Sequence, residues 1–245
     1  MKIALASAPV KNRDVAFNLQ AMVEIMARWA GKADLIVFGE TALQGFGCLC
    51  WDYEVDRQMA VGLTGEPVRR LQAAAKEHAV AVCFGLIEGA EDGLYSSQIF
   101  IGADGAIVHR FRRVSRGWKE YWRTDDHYRE GKEFARFSYQ GVSFAIGLCG
   151  DLWTEGRWEE MAALGPEVVL WPVWCDYPAG DWNSRIKYEY AGQAALCGKN
   201  VLLVNPFCAD PGVSDLAAGG AAWFREGEIL AEAAAGAAGV LLVEV

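Results

Sequence analysis

Hydrophobic and polar residues follow two different periods at the start of this chain. Residues 2–9 alternate as a β-strand does, whereas residues 14–30 repeat their apolar positions at helical spacing. Asp14 and Gly31 are suited to begin and to end that helix, as its N-cap and as the residue after its C-cap. Residues 33–38 are apolar throughout, which is typical of a central strand buried on both faces of a sheet.

The same two periods predict the rest of the secondary structure. Helical spacing recurs at residues 66–78, 153–164 and 182–197. Strands are predicted at residues 80–87, 95–101, 106–114, 134–139, 142–148, 167–172, 200–205, 221–224, 228–232 and 239–244. Turn residues at 103–105 and 140–141 predict two hairpins among these strands.

Two long stretches have neither period, at residues 41–65 and 115–131. Both are rich in aromatic residues, so we expect ordered loops with a functional role. No linker or internal repeat separates the elements, so we expect a single domain over residues 1–245. Helices that alternate with strands, with hairpins inserted, predict an α/β fold of two packed sheets covered by helices.

Composition and charge exclude several classes of protein. The chain is 53% hydrophobic and 22% charged, which is typical of a globular protein. Its net charge of −9 predicts no nucleic-acid partner, because a duplex-binding surface must be basic. The chain has no apolar run of about 18 residues, the length of a membrane span, and its apolar start is too short for a signal peptide. We therefore expect a cytoplasmic protein without a membrane partner.

The cysteines and histidines predict no metal site. The seven cysteines are odd in number and include no C-x-x-C pair, which fits free thiols in a reducing compartment. The three histidines are His78, His109 and His127, and none completes a zinc-ligand pattern with a cysteine pair.

Two reactive side chains stand where apolar strands end. Glu40 follows the run LIVFG, and Cys149 follows the strand VSFAIGL. Ligands bind at the carboxyl ends of strands in α/β folds, where burial raises the pKa of a carboxylate and backbone N–H groups stabilise a thiolate. The alternatives are an inert core cysteine, and a glutamate that caps a helix or forms an ion pair. Position alone does not decide between these alternatives and a Glu–Cys catalytic pair.

Five ordered segments give the chain a resemblance to the carbon–nitrogen hydrolase (nitrilase) superfamily over nearly its whole length. These segments are residues 3–9 (IALASAP), 37–46 (VFGETALQGF), 104–114 (DGAIVHRFRRV), 146–153 (IGLCGDLW) and 167–174 (EVVLWPVW). The resemblance implies a four-layer αββα sandwich of two mixed β-sheets and a Glu–Lys–Cys triad. It makes Glu40 the general base and Cys149 the nucleophile, while Asp151 is expected to anchor the turn.

The lysine of that triad is where the chain departs from the family pattern. Arg113 stands in the register of the lysine, and the next lysine is Lys119, six residues later. Either Lys119 supplies the ammonium from a rearranged loop or Arg113 holds the oxyanion itself. We favour Lys119, because aromatic residues and Glu120 flank it as they would in a lined pocket. The alternative is that Lys119 and Glu120 are merely charged residues of a loop that point into solvent.

The resemblance also implies residues that bind substrate. Many members carry a second acidic residue between lysine and cysteine, for which we choose Glu120 over Asp125 and Asp126. The backbone N–H of Gly150 is expected to donate to the oxyanion, and Trp174 to line the substrate pocket.

The function implied is hydrolysis of a small linear amide through a thioester on Cys149, with release of ammonia or an amine. No cofactor and no metal are expected, and the family implies a homodimer or higher homo-oligomer formed through helix packing. N-carbamoyl amide hydrolysis and nitrile hydrolysis are alternatives on the same site. A catalytically inactive binding protein and an acyltransferase are alternatives on the same scaffold.

Overall fold

The computed structural model describes residues 1–210 and 216–245, and all structural statements below concern these residues. The strands are β1 (Lys2–Ser7), β2 (Pro9–Val10), β3 (Leu35–Phe38), β4 (Ala81–Ala90), β5 (Gly93–Ile101), β6 (Ile107–Arg112), β7 (Phe137–Tyr139), β8 (Val142–Ile146), β9 (Val168–Pro172), β10 (Asn200–Val204), β11 (Phe207–Cys208), β12 (Ala221–Arg225), β13 (Glu228–Ala233) and β14 (Gly239–Glu244). The helices are α1 (Val15–Trp29), α2 (Tyr53–Asp56), α3 (Glu66–His78), α4 (Arg157–Leu164), α5 (Ala179–Asp181) and α6 (Lys187–Cys197).

The strands form two six-stranded mixed sheets and one two-stranded pair, β2 with β11. The first sheet has the order β14-β1-β3-β4-β5-β6, and the second has the order β13-β12-β10-β9-β8-β7. β1, β3 and β4 are parallel, as are β8, β9 and β10, and the outer strands are antiparallel. The parallel strands require crossover connections, which α1, α3, α4 and α6 supply.

The two sheets pack face to face, and helices cover their outer faces. Alternate residues of β1 and β3, such as Leu5 and Val37, join the core between the sheets, where they pack with Leu170 and other residues of the second sheet. The intervening residues, such as Phe38, pack against α1 and α3, and Met22 of α1 is fully buried there. This period-two division of apolar residues confirms the predicted αββα sandwich.

Most predicted elements lie within a few residues of their expected bounds. Asp14 caps α1, because its Oδ1 accepts a hydrogen bond of 3.0 Å from the N–H of Phe17, and α3 spans the predicted residues. The helix predicted from residue 153 begins only at Arg157. A 3₁₀ turn over Cys149–Trp153 and the positive φ of 81° at Gly156 delay it.

Smaller differences from the predicted elements arise where local backbone geometry overrides the hydrophobic period of the sequence. Residues 182–186 form one π-helical stretch that runs into α6, so the predicted helix is present but irregular. β2 and β11 were not predicted, because two residues are too few to show a period. Within the described part of the chain, no helix is both long enough and apolar enough to cross a membrane.

Candidate active site

A cavity of about 190 Å³ opens where four segments end at the same edge of the sandwich. Glu40 follows β3, Arg113 follows β6, Cys149 follows β8 and Trp174 follows β9. The lining residues are Glu40, Phe46, Arg113, Gly117, Cys149, Trp174 and Asp176. The structure therefore brings together a carboxylate, a guanidinium and a thiol that lie far apart in the sequence.

The Glu40 side chain is fully buried behind the cavity. Its Oε1 accepts hydrogen bonds from Ser96 Oγ at 2.7 Å and from Arg113 Nη1 at 3.0 Å. Its Oε2 is also buried but has no hydrogen-bond partner among the described residues. One carboxylate oxygen is thus fixed in place, and the other remains able to accept or give a proton.

Close backbone approaches hold the turn that carries Glu40. A side chain at Gly85 on β4 would collide with the N–H of Thr41 and lie 2.7 Å from the carbonyl oxygen of Gly39. Thr41 itself has a positive φ of 49°, which is uncommon for a residue other than glycine. The position of Glu40 therefore depends on the absence of a side chain from the neighbouring strand.

Cys149 lies in a strained turn between β8 and the 3₁₀ turn that follows. Its φ is 44°, and its carbonyl oxygen accepts a hydrogen bond of 2.9 Å from Trp171 Nε1. Asp151 fixes the turn, because its Oδ2 accepts from the N–H of Leu148 at 2.9 Å. Its Oδ1 accepts from the N–H of Ser115 at 2.7 Å, so Asp151 also ties the turn to the segment after Arg113.

The surroundings of the Cys149 thiol lower its pKa. A hydrogen bond with Cys175 lowers this pKa most, and the Arg113 charge and the backbone of Trp174 act in the same direction. Burial and the negative charge of Glu40 oppose them. A lower pKa increases the fraction of the thiolate, which is the nucleophilic form of a cysteine, at a given pH.

Arg113 is 4% exposed and packs directly against the turn that carries Cys149. Its Nε donates to Ser115 Oγ at 2.9 Å and lies 4.0 Å from Asp151 Oδ1. A Cβ added to Gly150 would lie 2.7 Å from Arg113 Nη2, so the guanidinium covers the residue after Cys149. Burial tends to lower the pKa of Arg113, but Glu40, Cys149 and Asp151 raise it above its usual value, so the side chain stays charged.

Lys119, which the sequence favoured as the cation of the site, is engaged elsewhere. Its Nζ donates to the carbonyl oxygen of Tyr128 and lies 2.9 Å from Glu130 Oε1. The structure thus brings Arg113, and not Lys119, to Glu40 and Cys149. The signal for Arg113 was its register at the end of the hairpin motif.

The remaining predicted residues divide into two groups. Trp174 lines the cavity and Gly150 directly follows the lining residue Cys149, whereas Glu120, Asp125 and Asp126 are exposed on the surface and do not line it. Among residues 1–210 and 216–245, no group of three histidine, cysteine or acidic side chains is arranged to hold a metal ion.

Several residues of the site were not predicted from the sequence. Ser96 binds Glu40, Ser115 binds Arg113, Cys175 lowers the pKa of Cys149, and Asp176 lines the cavity. The polar residues Ser96, Ser97 and Gln98 inside a strand that is otherwise largely apolar were an available signal for Ser96.

Comparisons with known proteins show the family of the chain and agree with its fold. The carbon-nitrogen hydrolase family model matches residues 2–245. An (R)-stereoselective amidase of Pseudomonas sp. is 30% identical over 173 residues, which cover 69% of this chain and 59% of that protein. A bromoxynil-specific nitrilase of Klebsiella pneumoniae subsp. ozaenae is 29% identical over 208 residues, which cover 78% of this chain and 58% of the nitrilase. The chain thus spans little more than half the length of these two relatives.

Solved structures share the fold at low sequence identity. A mutant of the amidase from Nesterenkonia sp. AN1, with acrylamide added to its active-site cysteine, has a TM-score of 0.75 at 17% identity and covers 100% of this chain and 93% of its own. A CN-hydrolase superfamily protein from Xanthomonas campestris, with an arsenic adduct in its active site, has a TM-score of 0.78 at 20% identity. It covers 99% of this chain and 89% of its own. The chain therefore belongs to the carbon-nitrogen hydrolase family, within the nitrilase superfamily.

Proposed function

We propose that this protein hydrolyses a small linear amide, with Cys149 as nucleophile and Glu40 as general base. The observation that carries this proposal is the buried Glu40–Arg113 ion pair of 3.0 Å, which shares one small cavity with the Cys149 thiol. A cavity of about 190 Å³ suits a small acyl group, because drug-sized ligands occupy about 300 Å³ or more.

In the proposed reaction, Glu40 takes the thiol proton and Cys149 Sγ attacks the carbonyl carbon of the amide. The negative charge on the substrate oxygen is stabilised by the Arg113 guanidinium and by the N–H of Gly150. Protonated Glu40 then gives its proton to the leaving nitrogen, so that the C–N bond breaks and a thioester remains. Glu40 next removes a proton from water, which attacks the thioester carbon. The C–S bond then breaks, the acid is released, and Glu40 returns its proton to Cys149 Sγ.

We assign the cationic role to Arg113 in place of Lys119. The ammonium of Lys119 already binds the carbonyl oxygen of Tyr128 and the carboxylate of Glu130. The Arg113 guanidinium contacts Glu40 and covers Gly150, where the oxyanion of the proposed intermediate would form. Gly150 and Trp174 keep the roles of oxyanion donor and pocket wall in this proposal, whereas the exposed Glu120 has no contact that supports one.

An amide substrate is preferred because one relative is an amidase, and the nitrilase relatives favour a nitrile as the second candidate. Both substrates would react at the same thiol. A set of three substrates with one common acyl group, namely an amide, an N-carbamoyl compound and a nitrile, would separate the candidates by their relative kcat/KM.

The test compares Cys149→Ala, Glu40→Gln and Cys50→Ala on such a panel. We expect the first two changes to lower kcat/KM by a factor of about 10³ or more, because nucleophile and base act as a unit. Cys50 is also partly exposed but lies outside the cavity, so its variant is the matched control and should keep activity.

Mass spectrometry of the enzyme during turnover separates the remaining alternatives. We expect an acyl adduct on Cys149 that decays to the free acid in water. An adduct that decays only when an amine acceptor is added would indicate an acyltransferase. No adduct with any member of the panel, together with full activity of Cys149→Ala, would exclude the proposed mechanism.

A further inference from the structure

The charges that line the cavity at Cys149 do not balance one another. Among the described residues, the charged side chains of the lining are those of Glu40, Arg113 and Asp176. Arg113 Nη1 lies 3.0 Å from Glu40 Oε1, and both of these side chains are buried. Asp176 is exposed to solvent, and its carboxylate has no ion pair or hydrogen bond within residues 1–210 and 216–245. The cavity therefore keeps one negative charge that no described group compensates.

The donors of Arg113 are directed to groups other than Asp176. Its Nη1 donates to Glu40, and its Nε donates to Ser115 Oγ at 2.9 Å and lies 4.0 Å from Asp151 Oδ1. Glu40 and Asp151 thus supply the negative charges that surround this guanidinium. Asp176 remains available to a cation that comes from outside the protein.

Arg116 is the other basic side chain next to the lining, because it precedes the lining residue Gly117. Its guanidinium is exposed and lies over the ring of Tyr121, 5.7 Å from the ring centroid. It forms no ion pair with Asp176. This loop therefore does not neutralise the carboxylate either.

The main chain that precedes Asp176 is held in place by Asn205, which follows β10 and is 4% exposed. The N–H of Cys175 donates to Asn205 Oδ1 at 3.0 Å. The carbonyl oxygen of Cys175, which belongs to the peptide bond with Asp176, accepts from Asn205 Nδ2 at 2.9 Å. A group on a fixed backbone binds a ligand with less loss of conformational freedom.

Two aromatic rings line the same cavity as Asp176. The ring centroids of Phe46 and Trp174 are 6.3 Å apart, with an angle of 31° between the ring planes. The face of an aromatic ring attracts a cation, and tryptophan does so most strongly. Two rings beside an uncompensated carboxylate therefore suit an ammonium group, whereas they would repel a second carboxylate.

We propose that Asp176 is a specificity-determining residue that selects amides whose acyl chain carries an ammonium group close to the carbonyl carbon. This substrate class rests on the proposed function, because it requires Cys149 to attack the amide. Glu40, which gives its proton to the leaving nitrogen, is fully buried, whereas Asp176 is exposed. The acyl chain, and not the leaving nitrogen, is therefore the part of the substrate that contacts Asp176.

The first experiment compares three amides of similar size. They are 3-aminopropanamide, which carries an ammonium group at neutral pH, butanamide, which is neutral, and succinamate, which carries a carboxylate. We expect kcat/KM to decrease in this order, with about tenfold between the first two, as one hydrogen bond between charged groups would give. Equal values for the three amides, or the highest value for succinamate, would overturn the proposal.

Variants of the carboxylate assign this preference to Asp176. Asp176→Asn keeps the shape and removes the charge, so the ratio of kcat/KM for 3-aminopropanamide to that for butanamide should fall about tenfold. Asp176→Lys should reverse the order of 3-aminopropanamide and succinamate. Asp181→Asn is the matched control, because this exposed carboxylate of α5 lies outside the cavity, and it should leave the ratio unchanged.

Two results with Asp176→Asn would contradict the assignment. An unchanged ratio would show that another group selects the charge. An equal loss of kcat/KM on all three amides would place Asp176 in the reaction itself and not in the choice of substrate.

Methanethiosulfonate reagents test the charge at the cavity without any hydrolysis, because they modify a thiol directly. We compare an aminoethyl reagent, which is cationic, with a sulfonatoethyl reagent, which is anionic, and follow the modification of Cys149 by mass spectrometry. Asp176→Asn should lower the ratio of the cationic to the anionic rate at Cys149 several-fold. Cys50 is partly exposed but outside the cavity, so its ratio is the internal reference and should not change.

The two experiments together separate this inference from the proposed function. A lowered reagent ratio in a protein that hydrolyses none of the amides would support the selection of cations by Asp176 and reject the proposed function. Amide hydrolysis without a charge preference, together with an unchanged reagent ratio, would support the proposed function and overturn the role of Asp176.

Discussion

Arg113 is the residue at which the site departs most from its family pattern. Its guanidinium contacts Glu40, Ser115 and the turn around Gly150 at the same time. A planar guanidinium has five donors in a fixed fork, whereas an ammonium is a compact point charge on a flexible stem. In the proposed reaction, Arg113 can therefore orient Glu40 and face the oxyanion position together, which a lysine could do only for one partner at a time.

We expect Arg113→Met to reduce both activity and stability. Removing one partner of a buried ion pair leaves the other charge uncompensated, which costs about 3–5 kcal/mol. Arg113→Lys keeps the charge but loses the bond to Ser115, so it should retain part of the activity and most of the stability. Urea denaturation and kcat/KM on the amide panel measure the two effects.

Equal activity of Arg113→Met and the unchanged protein would show that this guanidinium has no part in the reaction. Lys119→Met is the comparison that decides between the two cations. We expect it to change kcat/KM by less than the Arg113 variants, because Lys119 contacts Tyr128 and Glu130 outside the cavity.

At the scale of single residues, the sequence indicated only some members of the candidate site. Glu40 and Cys149 were singled out because each follows an apolar strand that ends abruptly, and the family resemblance supplied their expected roles. The choice between Arg113 and Lys119 depends on the path of a loop whose hydrophobic residues follow no regular spacing. Cys175 ends an apolar run, where a cysteine looks like a core residue, and its effect on the pKa of Cys149 arises only in three dimensions.

Among the secondary-structure elements, β4 has the most direct influence on the base. It passes beside the Gly39-Glu40-Thr41 turn, and Gly85 is the point of closest approach. The period of the sequence correctly predicted β4 as a buried strand, but a period does not show which strand residue must lack a side chain. That requirement comes from the turn packed against it.

We expect Gly85→Ala to destabilise the protein by about 1–3 kcal/mol, because overpacking forces the backbone to shift. The same shift should displace Glu40 and lower kcat/KM more than stability alone would explain. Gly192→Ala on α6 is the control, since nothing lies within 4 Å of its added Cβ. Thermal unfolding and kcat/KM of both variants provide the measurement.

Gly192→Ala should be neutral or stabilise the protein by about 0.5–1 kcal/mol, because alanine loses less backbone entropy in a helix. If Gly85→Ala were as stable and as active as Gly192→Ala, the turn that carries Glu40 would not depend on close packing against β4.

For the molecule as a whole, the period of the sequence predicted two packed sheets covered by helices, and the family resemblance identified this arrangement as an αββα sandwich. The strands of both sheet centres are short and apolar, and the helices between them carry one apolar face each. The packing of the sheets and helices into layers depends only on these hydrophobic patterns. Loop paths after the strands depend on individual contacts, such as those of Asp151, which no pattern shows.

The family resemblance predicts a homodimer, and the outer face of α6 is where we expect it to form. Tyr188 and Leu196 of α6 are 60% and 47% exposed, although large apolar side chains gain free energy when they are covered. We expect sedimentation velocity to give twice the chain mass of 26.8 kDa. Leu196→Arg should weaken the dimer, because it places a charge in the contact.

Ile107→Arg is the control for this variant, since Ile107 is 37% exposed on β6, an edge strand of the first sheet. A single-chain mass for the unchanged protein at micromolar concentration would contradict the predicted dimer. Equal weakening by both variants would place the contact elsewhere than on the face of α6.

The second carboxylate oxygen of Glu40, Oε2, affects how much the site must rearrange during turnover. Oε1 is held by Ser96 and Arg113, and Oε2 has no partner within the described part of the chain. In the proposed reaction a proton can therefore be stored on Oε2 and given back while both bonds to Oε1 persist. The heavy atoms need not rearrange between the two half-reactions, so each catalytic cycle has little reorganisation energy to overcome.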